Sequence, residues 1–278
     1  MSRAHVPQLS RLRSIEGRHN AVLKHLRKAF ASAEPASDGV FAIEGLRIIE
    51  EAIRSGLRFR VVFFAHSAAA KAQRLLPQLG AQVETVSIPD NLFAAAVPTE
   101  APQGVAALVQ GKLFGLDDVL AKSHAGPVIV VAGVRDPGNL GTILRSAEAF
   151  GAAGLLLGEG TVSQFNSKVV RASAGSVFRI PAVKVQISDI FNQLREQKFR
   201  SIATSSHKGT PLPQATLEPP LAIFIGGEGS GLGRDLIAKM DEVIAIPHSP
   251  KVESLNAGVA ASIILYEAAR QREGNQKS

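Results

Sequence analysis

The second half of the chain consists of short apolar segments that alternate with helical patterns and loops. Five segments have this character: Val128–Ala132, Gly154–Leu157, Ile202–Thr204, Leu221–Ile225 and Val243–Ile246. Apolar runs of this length between helices are typical of strands that are buried on both faces of a mainly parallel sheet. The sequence therefore predicts an α/β domain, closed by a long helix from Ser254 to about Gln271.

The first part of the chain shows a looser alternation of the same kind. Helices are predicted over Asn20–Phe30 and Glu44–Ser55, and short strands over 41–43, 60–65, 83–86 and 105–109. A polar stretch, 111–126, interrupts the alternation and predicts a linker. The expected organisation is a basic extension over 1–18, a small α/β domain over 19–110, the linker over 111–126, a larger α/β domain over 127–272, and a frayed tail over 273–278.

Positive charge is concentrated at the N-terminus. The formal net charge of the chain is +7, and residues 1–28 hold seven Lys or Arg against Glu16 alone. Because Lys and Arg release counterions from phosphates, this distribution favours a nucleic-acid partner over a merely solvated terminus. The candidate contacts are Arg3, Arg11, Arg13, Arg18, Lys24, Arg27 and Lys28.

Composition excludes several classes of protein. The chain has no cysteine, which excludes a disulfide scaffold, a thiolate metal site, an iron–sulfur cluster and a thiol nucleophile. His248 is a lone histidine in a loop, so we expect no bound metal. No apolar run approaches the ~18 residues of a membrane span, and residues 1–18 lack the apolar stretch of a signal peptide. A cytoplasmic protein without a membrane partner is the expectation.

The loop after the first strand of the larger domain combines a turn with a helix start. Asp136-Pro137-Gly138-Asn139 has the composition of a turn, and Asn139 is expected to cap a helix over Leu140–Phe150. Arg145 lies six residues further on, and we expect it on a face close to that of Asn139. The alternative is a capped helix with a surface arginine and no functional role.

A second loop, Ile225–Gly233, holds five glycines in eight positions. Glycine allows the backbone to approach a ligand closely. The spacing fits neither the Walker motif nor the dinucleotide fingerprint, so both of those phosphate sites are excluded. Glu228 suits a positively charged or hydroxyl-bearing ligand better than a phosphate. A flexible turn with a surface glutamate is the alternative.

The third loop, Ile246–Ser262, leads into the last helix. Ser254 is expected to cap this helix, with Asn256 inside its first turn. The small residues that follow would let the helix pack closely against another backbone or a second copy of the chain. A cap without further function is the alternative for Ser254.

Taken together, the three loops resemble the SpoU/TrmH class of SPOUT methyltransferases, which methylate ribose 2′-hydroxyls in RNA with S-adenosylmethionine. The resemblance covers residues 127–270 and rests on motifs in a fixed order. They are Asp136-Pro-Gly-Asn-Leu-Gly-Thr-Ile-Leu-Arg145, Gly226-Gly-Glu228-Gly-Ser-Gly-Leu, Ile246-Pro, Ser254-Leu-Asn256, and the intervening Lys168–Ser176 with Pro181. The first ~110 residues look like the small ribosomal-protein-like substrate-binding domain of many members.

The resemblance implies a fold and partners that the strand pattern alone does not reach. It implies a parallel sheet with a trefoil knot at its C-terminal end, where the knotted loops bind S-adenosylmethionine. It also implies a homodimer through the knotted domain, and an RNA substrate. The separate N-terminal domain favours 23S ribosomal RNA. The alternatives are a transfer RNA ribose methyltransferase and a catalytically inactive RNA-binding member.

The resemblance also assigns roles to individual residues. The catalytic set is Arg145, Asn139, Glu228, Ser254 and Asn256; backbone groups near Thr204, Gly226, Gly227, Ile246 and Leu255 hold the cofactor. Arg145 would act either as a general base or as a clamp that stabilises the forming alkoxide. Deprotonating an arginine near neutral pH costs roughly 7 kcal/mol, which favours the clamp.

The chain departs from the family pattern at a few loop positions. Gly227 stands where Asn is common, Ser146 where Thr is frequent, and His248 and Pro250 where Met and Gly are frequent. These departures change the shape of the loops more than their charge. They therefore bear on cofactor contacts and substrate preference rather than on the class of reaction.

Overall fold

A computed structural model describes residues 11–32, 34–227 and 231–275 of the chain. The described residues form two compact units. Unit 1 comprises the residues up to Leu113 together with Phe165–Phe178, and unit 2 comprises Phe114–Gln164 and the residues from Arg179 onward.

The described strands and helices alternate along most of the chain. In chain order, the strands are β1 Leu12–Ser14, β2 Val40–Glu44, β3 Arg58–Ala65, β4 Glu84–Ile88, β5 Val105–Gln110, β6 Val128–Ala132, β7 Gly154–Leu157, β8 Ala182–Lys184, β9 Arg200–Ser205, β10 Thr210–Pro211, β11 Leu221–Gly226 and β12 Glu242–Ala245. The α-helices are α1 Ala21–Ala31, α2 Leu46–Arg54, α3 Ala69–Leu75, α4 Asp90–Ala94, α5 Leu116–Leu120, α6 Pro137–Ala149, α7 Ser167–Ala172, α8 Ile187–Glu196, α9 Arg234–Ile237 and α10 Ala257–Asn275.

Unit 1 contains a mixed five-stranded sheet with the strand order β1-β4-β3-β5-β2. β5 runs antiparallel to β2 and β3, whereas β1, β4 and β3 are parallel to one another. α1 starts where the sequence predicts, because the Asn20 side chain accepts a hydrogen bond from the Val22 amide at 2.9 Å. The helix buries Leu23 and Leu26, which anchors it in the core of the unit.

The structure moves three of the expected boundaries. Leu12–Ser14, expected in the basic extension, forms β1 beside β4, and Ile15 is buried. The expected linker contains α5, whose Val119 is buried in the core of unit 2. Phe165–Phe178, expected in the larger domain, belongs to unit 1, where Phe165 contacts the ring of Phe41 at a centroid distance of 4.9 Å.

Unit 2 is built on a seven-stranded sheet with the order β10-β12-β9-β11-β6-β7-β8. Every pair of neighbouring strands in this sheet is parallel, as the sequence predicts. The central strands are buried on both faces, and Val130, Leu156 and Phe224 belong to one apolar core. Because all seven strands run in the same direction, their carboxyl ends meet at one edge of the sheet.

No helix in the described part of the chain is long and apolar enough to span a bilayer.

Candidate active site

A cavity of about 530 Å³ lies in unit 2, at the carboxyl ends of three neighbouring strands. Thr204 lies near the end of β9, Gly226 is the last residue of β11, and Ile246 directly follows β12. The N-terminal turn of α10 closes another side through Ala257 and Ala260. Open parallel sheets bind ligands at this edge, so the cavity is the candidate active site.

All five residues predicted to hold a cofactor line this one cavity. They are Thr204, Gly226, Gly227, Ile246 and Leu255, and the predicted catalytic residues Ser254 and Asn256 line it as well. The apolar part of the wall is formed by Ile225, Leu232, Ile237, Ile244, Ala257, Ala260 and Ile264. The cavity therefore joins two of the three sequence motifs, the second and the third.

The second motif needs its glycines because backbone segments touch one another there. A Cβ atom on Gly226 would lie 2.4 Å from the carbonyl carbon of Gly231, and one on Gly227 would lie 2.0 Å from the carbonyl oxygen of Gly133. The Gly227 amide also donates to the Ala132 carbonyl at 2.8 Å. In this conformation, Gly227 cannot be replaced by the asparagine that is common in the family.

The hydroxyl group of Thr204 is already used within the sheet. It donates to the Phe224 carbonyl at 3.0 Å and so joins β9 to β11 below the cavity. Backbone groups of Thr204 are therefore the part of this residue that a ligand can use. This agrees with the backbone role expected from the resemblance.

The start of α10 differs from the prediction. Asn256, not Ser254, is the N-cap, since its side-chain oxygen accepts from the Val259 amide at 3.1 Å. Its carbonyl accepts from the Ala260 amide at 2.9 Å. Both residues are good caps by type, but only Asn256 stands three positions before an amide that lacks an intrahelical partner. Ser254 lies before the helix, in the wall of the cavity.

The start of α6 is corrected in the same way. The helix begins at Pro137, and its N-cap is Asp136, whose side chain accepts from the Asn139 amide at 2.8 Å. Proline suits the first helical position because its missing amide would have no partner there. Asn139 is therefore inside the first turn rather than at the cap.

Asn139 and Arg145 lie on different sides of α6. Asn139 is 8% exposed, and its side-chain oxygen lies 3.3 Å from where a Cβ atom on Gly258 would be. Arg145 is exposed and does not line the cavity. Six residues of α-helix correspond to a rotation about 120° short of complete turns, so the expectation of a shared face is wrong.

Small residues let α6 and α10 lie close together. A Cβ atom on Gly258 would approach the Thr142 side chain to 3.0 Å. One helical turn further along, the hydroxyls of Ser146 and Ser262 are 2.6 Å apart, and Ser262 donates to the Gly258 carbonyl at 2.7 Å. The small residues at the start of α10 therefore pack against α6, which fixes the first motif beside the third.

Sequence reasoning did not single out three polar residues that line the cavity: Ser205, Ser206 and Glu253. His248, noted above only as a lone histidine and as a departure from the family pattern, lines it as well. The His248 Nδ1 donates to the Ile246 carbonyl at 2.7 Å, and its ring stacks on His207 at a centroid distance of 4.9 Å. The available signal was position, since each of these residues follows a predicted strand at its carboxyl end. Glu228 and Arg3 lie outside the described residues.

Most predicted nucleic-acid contacts in unit 1 already have partners. Arg11 donates to the Gly80 carbonyl at 2.7 Å, Arg13 forms an ion pair with Glu84, and Arg27 donates to the Arg18 carbonyl at 3.0 Å. The Arg18 Nε lies 3.1 Å from the ring of the adjacent His19. Two cations of the set, on α1, are exposed and have no partner among the residues that the structure describes: Lys24 and Lys28.

Comparison with known proteins places this architecture in a family. Residues 126–266 match the SpoU rRNA Methylase family, and residues 20–107 match the MRM3-like substrate binding domain. The chain belongs to the SpoU rRNA methylase family. The family resemblance and the presence of an N-terminal substrate-binding domain are both confirmed.

Two relatives and two solved structures illustrate the similarity. The chain is 30% identical to the 23S rRNA (guanosine(2553)-2′-O)-methyltransferase RlmP of Bacillus subtilis over 92% of this chain and 98% of that protein. It is 31% identical to an uncharacterized tRNA/rRNA methyltransferase of Synechocystis over 96% and 97%. The SpoU methyltransferase AviRb of Streptomyces viridochromogenes, solved with AdoMet, superposes with a TM-score of 0.79 at 27% identity, over 91% and 98%. An RNA 2′-O ribose methyltransferase superposes with a TM-score of 0.79 at 28% identity, over 94% of this chain and 100% of that chain.

The cavity fits the cofactor of this family. Its volume of about 530 Å³ lies within the range of small-molecule sites, and its walls combine apolar side chains with a few polar groups. Gly226 and Gly227 line the cavity, and their missing side chains let the surrounding backbone segments pack closely there. This SpoU rRNA methylase is an S-adenosylmethionine-dependent RNA methyltransferase, as predicted.

Proposed function

We propose that this protein transfers a methyl group from S-adenosylmethionine to a ribose 2′-hydroxyl of 23S ribosomal RNA. The observation that supports the proposal most directly is the cavity at the carboxyl ends of β9, β11 and β12, lined by residues of the second and third motifs. The relative RlmP, which matches over nearly its whole length, supports the choice of 23S RNA.

Backbone groups of Thr204, Gly226, Gly227, Ile246 and Leu255 would hold the cofactor in this cavity. When bound, S-adenosylmethionine supplies a methyl group on a positively charged sulfur, which becomes a neutral thioether once the methyl group has gone to the ribose oxygen. The protein's task is to align the ribose oxygen with that methyl group and to make the oxygen more nucleophilic.

Arg145 is proposed as the catalytic residue that binds substrate. It is exposed on α6 and has no hydrogen-bond or ion-pair partner in the part of the chain that the structure describes, so all its donors are available to RNA. A guanidinium can grip a phosphate through two parallel hydrogen bonds and stabilise negative charge on a neighbouring oxygen. We favour this clamp over a general-base role because of the cost of deprotonating arginine.

The remaining predicted catalytic residues are proposed to position the site. Asn256 caps α10, and Asn139 lies where α10 meets α6. Ser254 lines the cavity between them. We propose that these residues fix α6, and with it Arg145, relative to the cofactor loops. Glu228 is proposed to help hold the nucleotide, in the loop that joins Gly227 to Gly231.

We further propose that two copies of the chain associate through the knotted C-terminal domain. The exposed side chains Val259, Ile263 and Tyr266 recur at helical spacing on α10, with exposed fractions of 47%, 37% and 56%. Three exposed apolar side chains on one helix face favour a protein partner, and the family makes a second copy the natural one. The knot itself is proposed from the resemblance.

Unit 1 is proposed to select the RNA around the target nucleotide. The match to a substrate-binding domain supports this role, and Lys24 and Lys28 supply exposed charge for phosphate contacts. A substrate in the ribosome implies a cytoplasmic protein.

The decisive experiment maps 2′-O-methylated nucleotides in ribosomal and transfer RNA from cells with and without the gene. One site in 23S RNA should lose its methyl group in the deletion strain. Purified protein and S-adenosylmethionine should restore that site on the undermethylated RNA. Loss of a transfer RNA site instead would favour the alternative substrate. An unchanged methylation map and no methyl transfer in vitro would point to an inactive RNA-binding protein.

A further inference from the structure

The wall of the cofactor cavity carries a carboxylate for which no role has been assigned above. Glu253 lines the cavity one residue before Ser254. It has no hydrogen-bond or ion-pair partner among the residues that the structure describes. Apart from the histidine His248, it is the one ionisable side chain in the described wall.

Neighbouring cations do not cancel this charge within the wall. Lys208 and Lys251 belong to the loops that border the cavity, but neither residue lines it. The His248 Nδ1 is committed to the Ile246 carbonyl, at 2.7 Å. The described lining is otherwise apolar, hydroxyl-bearing, amide or glycine. The described lining therefore carries one carboxylate, on the solvent-exposed side chain of Glu253, and neither lysine nor arginine.

The methyl transfer proposed above changes the charge of the cofactor by one unit. The substrate form carries a positive sulfur, whereas the product form carries a neutral thioether. A carboxylate in the wall attracts the first more strongly than the second, because only the first bears the additional positive charge. Apart from this charge and the transferred methyl group, the two molecules are identical, so a charged analogue without that methyl group separates the two contributions.

We propose that Glu253 makes the cavity prefer S-adenosylmethionine over its demethylated product, S-adenosylhomocysteine. This inference rests on the proposed methyl transfer. Glu253 would then act as a specificity-determining residue that retains the substrate form and favours release of the product. Its carboxylate needs neither a fixed contact nor a proton transfer to have this effect.

The test compares the affinities of three ligands for purified wild-type protein and the Glu253→Gln variant by calorimetry. The ligands are S-adenosylmethionine, S-adenosylhomocysteine, and sinefungin, in which a protonated amine on carbon takes the place of the charged sulfur. Glu253→Gln should weaken binding of both charged ligands by about fivefold and leave S-adenosylhomocysteine within about twofold. Glu253→Asp, which keeps the charge, should retain most of the preference.

A matched control separates this local effect from the net charge of the protein. Asp235→Asn removes one negative charge from α9, which borders the cavity through Ile237, but Asp235 does not line the wall. It should leave the ratio of the three affinities unchanged.

Two results would overturn the proposal. An equal loss of affinity for all three ligands would place Glu253 against the adenosine or amino-acid part that they share. An unchanged affinity for all three would show that Glu253 does not contribute to binding. Failure of the wild-type protein to bind any of the three would instead contradict the cofactor assignment. The inference about Glu253 and the proposed function therefore fail in distinguishable ways.

Discussion

At the scale of single residues, the position of Arg145 separates binding from chemistry. The cavity walls come from loops after β9, β11 and β12, whereas Arg145 is an exposed residue of α6 outside the wall. A side chain that does not touch the cofactor cavity can lose its function without disturbing cofactor affinity. Ser254 and Asn256 line the wall and therefore do not allow this separation.

Arg145→Ala should therefore abolish methyl transfer, with a loss of at least about a hundredfold, because the clamp on the RNA is removed. The affinity for S-adenosylmethionine should stay within about threefold of the wild-type value. Single-turnover methylation of a 23S RNA fragment and calorimetry measure the two quantities. Arg135→Ala, a nearby cation ahead of α6, serves as the control and should keep activity. Retained turnover in Arg145→Ala would remove Arg145 from the mechanism.

At the scale of elements, the ends of helices and strands show what sequence patterns can resolve. β6 and β7 have the predicted bounds, because continuous apolar runs mark strands buried on both faces. β8 and β10 contain three and two residues and carry no periodic signal. The caps of α6 and α10 differ from the prediction because two capping residues stand close together at each helix start, Asp136 with Asn139 and Ser254 with Asn256. Residue type identifies the possible N-caps of a helix, but the backbone geometry decides which of them caps it.

The start of β12 is held to β9 by a carboxylate. Asp241 accepts hydrogen bonds from the backbone amide and the hydroxyl of Ser201, both at 2.7 Å. The backbone and side-chain hydrogen bonds from Ser201 lower the pKa of Asp241 below its usual value of 3.8. A lowered pKa in the folded state means that the ionised carboxylate stabilises the fold above about pH 4. This contribution is lost as the pH falls through the lowered pKa.

Asp241→Asn should reduce the free energy of unfolding at pH 7 by about 1 kcal/mol, because Asp241 is largely exposed and water screens the interaction. The difference from wild type should narrow as the pH falls below about 4. Urea unfolding at several pH values measures both effects. Glu100→Gln, an exposed carboxylate of unit 1, should show neither. A destabilisation that is independent of pH would show that packing, not charge, accounts for the loss.

The exposed face of α10 permits a test of association. Ile263→Lys places a charge among Val259 and Tyr266, where a second copy is proposed to dock. The variant should elute as a monomer in light scattering at concentrations at which the wild-type protein is a dimer. Leu113→Lys, which changes an equally apolar side chain that is 54% exposed in unit 1, should leave the mass unchanged. A monomeric wild-type protein would contradict the proposed dimer.

At the scale of the whole molecule, fewer cations of residues 1–28 are free to contact RNA than the net charge of that segment suggests. Of the predicted contacts in unit 1, Arg11, Arg13 and Arg27 have protein partners. Arg13 also lies in β1, which pairs with β4. The sequence shows the net charge of residues 1–28, but it cannot show which cations are hydrogen-bonded to carbonyls or paired with carboxylates. The exposed pair Lys24 and Lys28 is what the structure adds.

Replacing both Lys24 and Lys28 by Gln should weaken RNA binding and reduce the salt slope of log K by about 1.4, since each phosphate contact to a single strand contributes about 0.7. Binding isotherms between low and physiological salt measure the slope. Arg13→Gln is the matched control, and its ion pair with Glu84 predicts a much smaller change. An unaltered slope in the double variant would show that α1 does not contact the RNA backbone.

The fold class and the grouping of the predicted site residues at one cavity could be predicted because buried strands and the loops after them leave strong sequence signals. Thr204, Gly227 and Leu255 lie far apart in the chain, and the structure brings them to one cavity. Thr204 ends a predicted strand, Gly227 follows one, and Leu255 lies just before the last helix. The assignment of Phe165–Phe178 to unit 1 had no such signal. Its contacts with Phe41 are long-range, and an apolar sequence does not reveal which distant residues it packs against.

The strand order of the parallel sheet in unit 2 also determines when its strands can pair during synthesis. β6 pairs on one side with β7, which follows soon after it, but its other edge is covered only by β11, about ninety residues later. At the usual translation rate of ~5–20 residues per second, one edge of this apolar strand stays unpaired in the nascent chain for roughly 5 to 20 s. The first four residues of β6 are fully buried in the folded protein, yet β6 is the strand of this sheet that stays unpaired on one side for longest during synthesis. Protease accessibility of ribosome-arrested chains should fall sharply only once β11 has left the exit tunnel.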